Sequence, residues 1–340
     1  MKKKISLKDI AQKVGVSTAL VSYVLSGKEK EGRVGQEMAE IIRETAKKLN
    51  YQPNQIAKSL KSGRSYTIGL IVADISNPFF AHIARTVEDE AKNDGYTTIF
   101  GSSDENSEKS QHLIDALINR QVDGFIIAPA EHSEKQIEYI KSLNIPFVLI
   151  DRYFPDIETN YVVIDNYKAT YNATQHLLDN GYRRIGLAVY ENELKHMLDR
   201  INGYKGALQD YGLALDPALV RKIDFTNTTQ SVRENVGTLL NDEKPVEAIL
   251  FSTNTLSVEG LRCLNELKYT IPNDVAVVCF DESDSFDFFY CTLTCVSQPL
   301  QQIAREAVQI LIGQIKHKET ELRQVVINPC LLVGESSSKH

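Results

Sequence analysis

A short predicted helix near residue 20 carries small and hydroxyl side chains of the kind that contact DNA. Hydroxyl groups donate to phosphates or to base edges, and an alanine methyl group packs on a thymine methyl group. Tyr23 can contact DNA in the same way, or it can pack over a neighbouring helix. The candidate DNA contacts in this segment are Ser17, Thr18, Ala19, Ser22, Tyr23 and Ser26.

A second group of side chains follows predicted β-strands further along the chain. Open parallel sheets bind ligands at the carboxyl ends of their strands. Aromatic rings with a few carboxylates and an arginine suit a sugar, because CH faces pack on rings and hydroxyl groups need fixed donors and acceptors. The candidates are Asp74, Asp151, Arg152, Asn254 and Asp281, with Phe79 and Phe80 at the start of a helix that Asn77 can cap.

Three members of this second group also have a simpler explanation when each is taken alone. Phe79 and Phe80 can be core residues of the helix start, and Asp74 can be a loop residue. Their shared position at strand ends favours a binding site.

Charge divides the chain into a basic head and an acidic body. Residues 1–65 contain 14 basic and 6 acidic residues, a net +8, whereas the whole chain of 340 residues has a net charge of −7. A chain of this length exceeds the size at which one core usually divides into domains. A basic head on an acidic body is typical of a DNA-binding module joined to another domain, although solvated surface helices give the same charge.

Three helical patterns position the first group of residues. Ser6 and Asp9 fit a capping box, Gly15 provides a turn, and Ser17 can cap the next helix. Two short helices joined by a tight turn predict a helix-turn-helix, whose second helix enters the major groove. A third helix over about 36–49 is expected to cover the pair with Met38, Ile41, Ile42, Ala46 and Leu49.

The segment over 53–63 predicts a helix that needs a partner. A helix of under about ten residues is marginal in water, so we expect order only against DNA or a second copy of the chain. An exposed Leu60 beside Lys58 suits a wedge that enters the minor groove and kinks the duplex. The alternative is an ordinary linker whose Leu60 rests on the body.

From Tyr66 onward, β-branched runs alternate with amphipathic helices, which predicts parallel sheets covered on both faces. Two series of strands, beginning at 67–73 and 161–164, predict two doubly wound lobes with a cleft between them. We expect the strand over 292–296 and the following helix to cross back to the first lobe, and the strands over 324–333 to return to the second. The predicted fold is an all-α helix-turn-helix head plus an α/β body.

Ordered motifs along the whole chain resemble the LacI/GalR (lactose-repressor/galactose-repressor) family of transcription factors. The resemblance implies a body like the periplasmic sugar-binding proteins. The motifs include Asp9-Ile10-Ala11, Gly15-Val16-Ser17, Leu49-Asn50-Tyr51, Pro53-Asn54, Asp74-Ile75-Ser76-Asn77-Pro78-Phe79-Phe80, Val122-Asp123-Gly124, Phe280-Asp281 and Gln298-Pro299.

The resemblance implies operator DNA and a small metabolite as partners, with a carbohydrate as the first candidate and a purine or nucleoside as the second. It implies base-reading positions at Thr18, Ala19 and Tyr23, and an intercalating Leu60 in a hinge that also carries Asn54, Ala57 and Lys58. It implies effector contacts from Arg200 and Asp281, with Phe79, Phe80, Arg152 and Phe225 lining the pocket.

The resemblance and the composition together predict three domains. A helix-turn-helix domain occupies 1–52, a hinge helix and linker 53–65, and an effector-binding domain 66–340. Lobe 1 of that last domain is expected over about 66–160 and 292–322, and lobe 2 over about 161–291 and 323–340. The segment Gly334–His340 is too short for tetramerising heptads, so we expect a homodimer.

Other functional classes lack support in the sequence. There is no G-x-G-x-x-G, H-E-x-x-H or G-x-S-x-G motif, and the seven histidines have no metal-ligand spacing, so we expect neither an enzyme nor a cofactor or metal. No apolar run approaches the ~20 residues that span a bilayer, and the basic start lacks the apolar stretch of a signal peptide. Five cysteines without a C-x-x-C pair indicate reduced thiols. We therefore expect a cytoplasmic protein without membrane contact.

Overall fold

The computed structural model describes residues 5–51 and 63–338, which form two compact units that divide between Ser65 and Tyr66. Within residues 5–51 the head contains three helices, α1 (Leu7–Val14), α2 (Thr18–Leu25) and α3 (Gln36–Lys48). The predicted capping box is confirmed, because the Asp9 backbone N–H donates to Ser6 Oγ at 3.3 Å and the Ser6 N–H donates to Asp9 Oδ2 at 2.8 Å.

The core of the head comes from one face of each helix. Ile10, Val21 and Ile42 are fully buried at its centre. Ile41, which the pattern placed in this core, is 43% exposed, whereas Ala39 is buried. Adjacent helix positions are rotated by about 100°, so the face that buries Ile42 takes the residue three positions earlier and turns Ile41 outward.

The first sheet of the body is parallel throughout, with the strand order β11-β5-β4-β3-β1-β2. Its central strands are fully buried, as expected for a sheet with helices on both faces. Its strands are β1 (Thr67–Val72), β2 (Thr97–Ser102), β3 (Gly124–Ile127), β4 (Phe147–Ile150), β5 (Tyr161–Ile164) and β11 (Gln324–Ile327), and its helices are α4 (Pro78–Asn93), α5 (Ser107–Asn119), α6 (Glu134–Ser142) and α11 (Leu300–His317).

The second sheet has the equivalent order β12-β10-β9-β8-β6-β7, with β12 antiparallel to β10 and the other pairs parallel. Its strands are β6 (Ile185–Tyr190), β7 (Val220–Ile223), β8 (Ala248–Phe251), β9 (Ala276–Phe280), β10 (Thr294–Ser297) and β12 (Cys330–Leu332). Its helices are α7 (Asn166–Asp179), α8 (Lys195–Asp210), α9 (Thr228–Leu240) and α10 (Asn254–Glu266), and short 3₁₀ turns occupy Pro217–Leu219, Phe225–Asn227, Asp284–Phe288 and Glu335–Ser337.

The chain crosses between the lobes at points that differ from the predicted boundaries. β5 pairs with β4 and β11, so lobe 1 extends to Ile164 rather than to residue 160. The predicted strand over 292–296 is β10, which pairs with β9 in lobe 2, and β11 lies in lobe 1. As expected, α11 packs on lobe 1, and β12 returns to lobe 2, where it pairs with β10. A local apolar run defines a strand, but long-range pairing decides which sheet receives it.

Helices α7 and α8 pack closely against each other at Gly203. A Cβ atom at this position would lie 2.2 Å from the carbonyl oxygen of Tyr167 in the facing helix. Because that oxygen belongs to helical backbone, a side chain at residue 203 would have to move one helix away from the other. The glycine therefore sets the distance between the two helices.

Gly203→Ala is expected to lower the free energy of unfolding by about 1–3 kcal/mol through this overpacking. Gly237→Ala in α9 is the matched control, because no atom lies within 4 Å of its added Cβ. The free energy of unfolding of that control is expected to rise by about 0.5–1 kcal/mol, because alanine has a better helix propensity than glycine. Urea denaturation followed by circular dichroism measures both, and equal stabilities for the two variants would contradict the packing argument.

Candidate functional site

The outer face of the head carries the side chains predicted to contact DNA. Ser17 caps α2, since its Oγ accepts a hydrogen bond from the Leu20 backbone N–H at 3.2 Å. Thr18, Ala19 and Ser26 are exposed, and Ser22 is half-buried. The inner face of α2 holds apolar core residues, so the polar face is the one open to a partner. The hinge candidates Asn54, Ala57, Lys58 and Leu60 lie outside the described residues.

Tyr23 packs on the segment that follows α2. A Cβ atom at Gly32 would lie 2.7 Å from Tyr23 Cγ, so the backbone there fits closely against the ring. The Lys28 N–H donates to the Tyr23 carbonyl oxygen at 2.9 Å, and an ion pair between Glu29 and Arg43 joins this segment to α3. The ring remains 41% exposed, so Tyr23 has a packing partner and an open edge.

In the body, strand ends of both lobes surround a cavity of about 300 Å³. The cavity brings together seven of the eight predicted effector residues, and Asn254 is not among those that line it. Asn254 is buried at the start of α10, where its backbone N–H donates to the Asp281 carboxylate. The seven lining residues are Asp74, Phe79, Phe80, Arg152, Arg200, Phe225 and Asp281.

The first turn of α4 presents two of the rings to this cavity. Asn77 caps the helix, its Oδ1 accepting from the Phe79 N–H at 3.0 Å, and Pro78 occupies the first helical position. The rings of Phe79 and Phe80 meet edge to face, with centroids 4.9 Å apart. Both phenylalanines are nearly buried, so they serve the core and the cavity wall at once.

Arg152 is a buried cation that lobe 1 neutralises by itself. Its Nε donates to Asp151 Oδ2 at 2.9 Å, and its Nη1 donates to the Glu105 carboxylate at 2.8 Å. Burial alone would lower the pKa of Arg152, but the two carboxylates raise it overall. The guanidinium is therefore fully charged, and its charge is balanced within the protein.

Arg200 and Asp281 are buried opposite charges on the side of lobe 2 that attract each other without a direct ion pair. The Arg200 guanidinium lies 3.8 Å from the centroid of the Phe280 ring, and its Nε donates to Asn166 Oδ1 at 2.9 Å. Burial lowers the pKa of Arg200 to about 10 and raises that of Asp281 to about 6, while the attraction between the two charges opposes both shifts. Gln298 Nε2 donates to Asp281 Oδ1 at 2.6 Å.

The structure adds lining residues that the sequence interpretation missed, among them Glu105, Tyr190 and His196. Burial, together with the charges of the two arginines, holds the pKa of His196 well below its usual value, so its imidazole is neutral. Its Nδ1 is buried without a hydrogen-bond partner among the described residues. Tyr190 ends β6 and Glu105 follows β2, so the strand-end rule could have found these two, whereas His196 lies in the first turn of α8.

Comparisons with known proteins agree with the description of the head and with that of the body. Residues 6–54 match the model of bacterial regulatory proteins of the lacI family, and residues 174–337 match a periplasmic binding protein-like domain. Catabolite control protein A of Priestia megaterium is 30% identical over 337 residues, covering 98% of this chain and 99% of that protein. The chain belongs to the lacI family of bacterial regulatory proteins. It is therefore a DNA-binding transcriptional regulator with an effector-binding domain, not an enzyme.

Other members and structures of the lacI family extend the comparison. The HTH-type transcriptional repressor PurR of Actinobacillus pleuropneumoniae serotype 3 (strain JL03) is 28% identical over 322 residues, 95% of this chain and 94% of that protein. The structure of a transcriptional regulator CelR-cellobiose complex is 26% identical, with a TM-score of 0.73 over 98% of this chain and all of the other. The lac repressor dimer bound to operator and an anti-inducer shares the fold, with 19% identity and a TM-score of 0.86 over 99% and 100% of the two chains.

Within residues 5–51 and 63–338, no three His, Cys, Asp or Glu side chains are grouped so that they could hold a metal ion. In the same part of the chain, no helix combines the length and the apolar character that crossing a bilayer requires.

Effector affinity is expected to fall as the pH is lowered through about 6, because Asp281 then becomes protonated and loses its charge-assisted hydrogen bonds. Burial and the two arginine charges lower the pKa of His196, which opposes its protonation as the pH falls. Asp281→Asn should bind the effector about tenfold or more weakly at neutral pH and lose this pH dependence. Isothermal titration calorimetry from about pH 5 to about pH 8 measures both effects. An unchanged pH profile in the variant would exclude Asp281 as the titrating contact.

Proposed function

We propose that this regulator is a repressor that binds operator DNA as a homodimer and responds to a carbohydrate in the cleft between its two lobes. The observation that carries the proposal is the cavity itself, where strand ends from both lobes combine aromatic rings with fixed charged groups. A regulator of this kind acts where the DNA is, which supports a cytoplasmic location.

The chemistry of the cavity supports a polyhydroxylated effector. Two pairs of aromatic rings offer apolar surface to the CH groups of a sugar. One pair is Phe79 and Phe80, and the other is Tyr190 and Phe225, whose ring centroids lie 5.3 Å apart. Asp281 offers acceptors to the hydroxyl groups of the sugar, and Nδ1 of His196 offers an acceptor or a donor, since that atom has no hydrogen-bond partner in the described part of the chain. The CelR relative, whose structure is described as a cellobiose complex, supports the same class of ligand.

A purine or nucleoside is the second candidate for the effector. A planar base stacks on aromatic rings as readily as a sugar does, and the two aromatic pairs offer such faces. The similarity to the PurR repressor favours this alternative. The two classes differ in the number of hydroxyl groups that need fixed partners, so a direct binding comparison separates them.

We assign the DNA contacts to α2 and to the hinge segment. Thr18, Ala19 and Tyr23 would read base edges, while the hydroxyl groups of Ser17, Ser22 and Ser26 would contact phosphates or bases. Asn54, Ala57 and Lys58 would lie along the minor groove, with Leu60 inserted into it.

Control by the effector follows from two arrangements of the lobes. A ligand that contacts both lobes binds the closed arrangement more tightly and increases its population. The three crossings between the lobes within residues 66–338 are the points where such a closure can bend. The coupling between effector and operator would then be about 1–3 kcal/mol, as in other allosteric proteins.

An exposed aromatic segment between β9 and β10 supports the homodimer. Phe288 is 91% exposed and Tyr290 is 60% exposed, which is unusual for large apolar side chains. They belong to a segment that borders an open groove lined by residues of α4 and α11, among them His82 and Arg305. Large exposed aromatic residues mark protein interaction sites, and the lac repressor of the same fold is described as a dimer on its operator.

The decisive experiment measures operator binding and effector response with one preparation of the full chain. Duplexes selected from a random pool at low salt provide the operator, and a thermal-shift screen of sugars and nucleosides provides the effector. A selected palindromic duplex whose affinity changes by about fivefold or more with a sugar would support the proposal. Failure to retain any duplex would contradict DNA binding, and a response to nucleosides alone would replace the carbohydrate.

Phe288→Ser is expected to raise the dissociation constant of the dimer by about tenfold or more, because it removes an aromatic anchor from the interface. Analytical ultracentrifugation at micromolar concentration measures the shift towards monomer. Leu143→Ser is the matched control, since Leu143 is 44% exposed at the end of α6 and lies outside the groove. Unchanged sedimentation of the Phe288 variant would exclude this surface.

A further inference from the structure

We infer that one corner of the cleft is a subsite for a protonated amine, so that the effector is an amine-bearing sugar rather than a phosphorylated one. The inference rests on the proposed carbohydrate effector and specifies its charge. Three carboxylates and two aromatic rings form this subsite, which we call the amine corner: Glu131, Glu191, Asp224, Tyr190 and Phe225.

The register of β6 and β7 places two acidic residues of the amine corner side by side. Tyr190 of β6 and Ile223 of β7 are register partners, so the residues that follow them, Glu191 and Asp224, lie side by side at the carboxyl ends of two parallel strands. The Glu191 backbone N–H donates to the Ile223 carbonyl oxygen at 2.9 Å, which continues the pairing to that point. Two exposed acidic residues thus occupy adjacent positions beside the cavity.

Lobe 1 contributes the third carboxylate. Glu131 Oε1 accepts a hydrogen bond from the Glu193 backbone N–H at 2.9 Å, which holds it against the loop that follows Glu191. Two rings complete the corner, since Tyr190 and Phe225 meet edge to face beside the two strand-end carboxylates. An ammonium ion is attracted both to carboxylates and to the faces of aromatic rings.

The cations of the cavity do not neutralise this corner. Seven carboxylates and two guanidinium groups line the cavity. Arg152 is paired with Asp151 and Glu105, and Arg200 is held by Asn166 and by the attraction of Asp281. Among the described residues, Glu131, Glu191 and Asp224 take part in no ion pair. A phosphate would meet this excess of negative charge, whereas an ammonium group would relieve it.

Asp224 is held in its charged form. Thr226 donates to its Oδ1 from both the backbone N–H, at 2.8 Å, and the hydroxyl group, at 2.7 Å. These bonds lower the pKa of Asp224, so it is a carboxylate at neutral pH. The amine corner is open to solvent in this arrangement of the lobes, and closure on a ligand would strengthen its attraction for a cation by excluding water.

The test compares hexosamines with their N-acetyl derivatives, which keep the ring and its hydroxyl groups but lose the charge. Isothermal titration calorimetry on the full chain would use glucosamine, galactosamine and mannosamine against the N-acetylated forms, with glucose 6-phosphate as the anionic probe. We expect a hexosamine to bind at least about tenfold more tightly than its N-acetyl derivative, and the difference to shrink at high salt.

Glu191→Gln combined with Asp224→Asn is expected to bring the ratio of the hexosamine affinity to the affinity of its N-acetyl derivative close to one. Glu243→Gln, an exposed carboxylate outside the cavity, is the matched control and should leave the ratio unchanged. Thermal unfolding without ligand shows whether the double variant is folded; if it is not, Glu131→Gln alone is expected to lower the ratio several-fold by the same reasoning.

The outcomes separate this inference from the proposed function. A neutral hexose or a sugar phosphate that binds as tightly as any hexosamine, with Asp281→Asn weakening it, would overturn the amine corner and leave the carbohydrate effector in place. Binding of putrescine without any sugar would support the amine corner and contradict the carbohydrate. Binding of nucleosides alone, unaffected by the double variant, would contradict both.

Discussion

Burial of two guanidinium groups, those of Arg152 and Arg200, is the constraint on which the interlobe cleft depends. An unpaired buried charge is costly, so each cation needs carboxylates and hydrogen-bond acceptors at fixed positions. Asp151 and Glu105 supply them to Arg152, while Asn166, Ser252 and Asp281 surround Arg200. These partners come from different strand ends, so satisfying the two charges also fixes the shape of the cleft.

The two lobes present a carboxylate to the cleft at equivalent positions because their sheets have the same strand order. Asp151 follows β4 and Asp281 follows β9, the equivalent strand of lobe 2, and both have a left-handed backbone with φ of 66°. Aspartate tolerates this conformation better than most residues. The repeated turn directs one carboxylate from each lobe into the cleft.

Much of the site was predictable because it depends on local signals. The capping residues Ser6, Ser17 and Asn77 are confirmed in their predicted roles, and the strand-end rule brought Asp74, Arg152 and Asp281 to one cavity. The interpretation missed His196, since a histidine in the first turn of a helix has no distinguishing pattern. The interpretation also predicted Asn254 as a cavity residue, whereas Asn254 does not line the cavity and its backbone N–H donates to the Asp281 carboxylate.

The sequence by itself determined the helix-turn-helix head, the alternation of strands and helices, and the strand ends that carry polar residues, because each depends on neighbours within a few positions. Tertiary structure decided which sheet receives β5, β10 and β11, and it placed Glu191 beside Asp224. It also decided the ionisation of the cleft, where Asp281 and His196 depart from their ordinary pKa values. Pairing over long distances in the chain and the exclusion of water exist only in the folded molecule, so no local pattern encodes them.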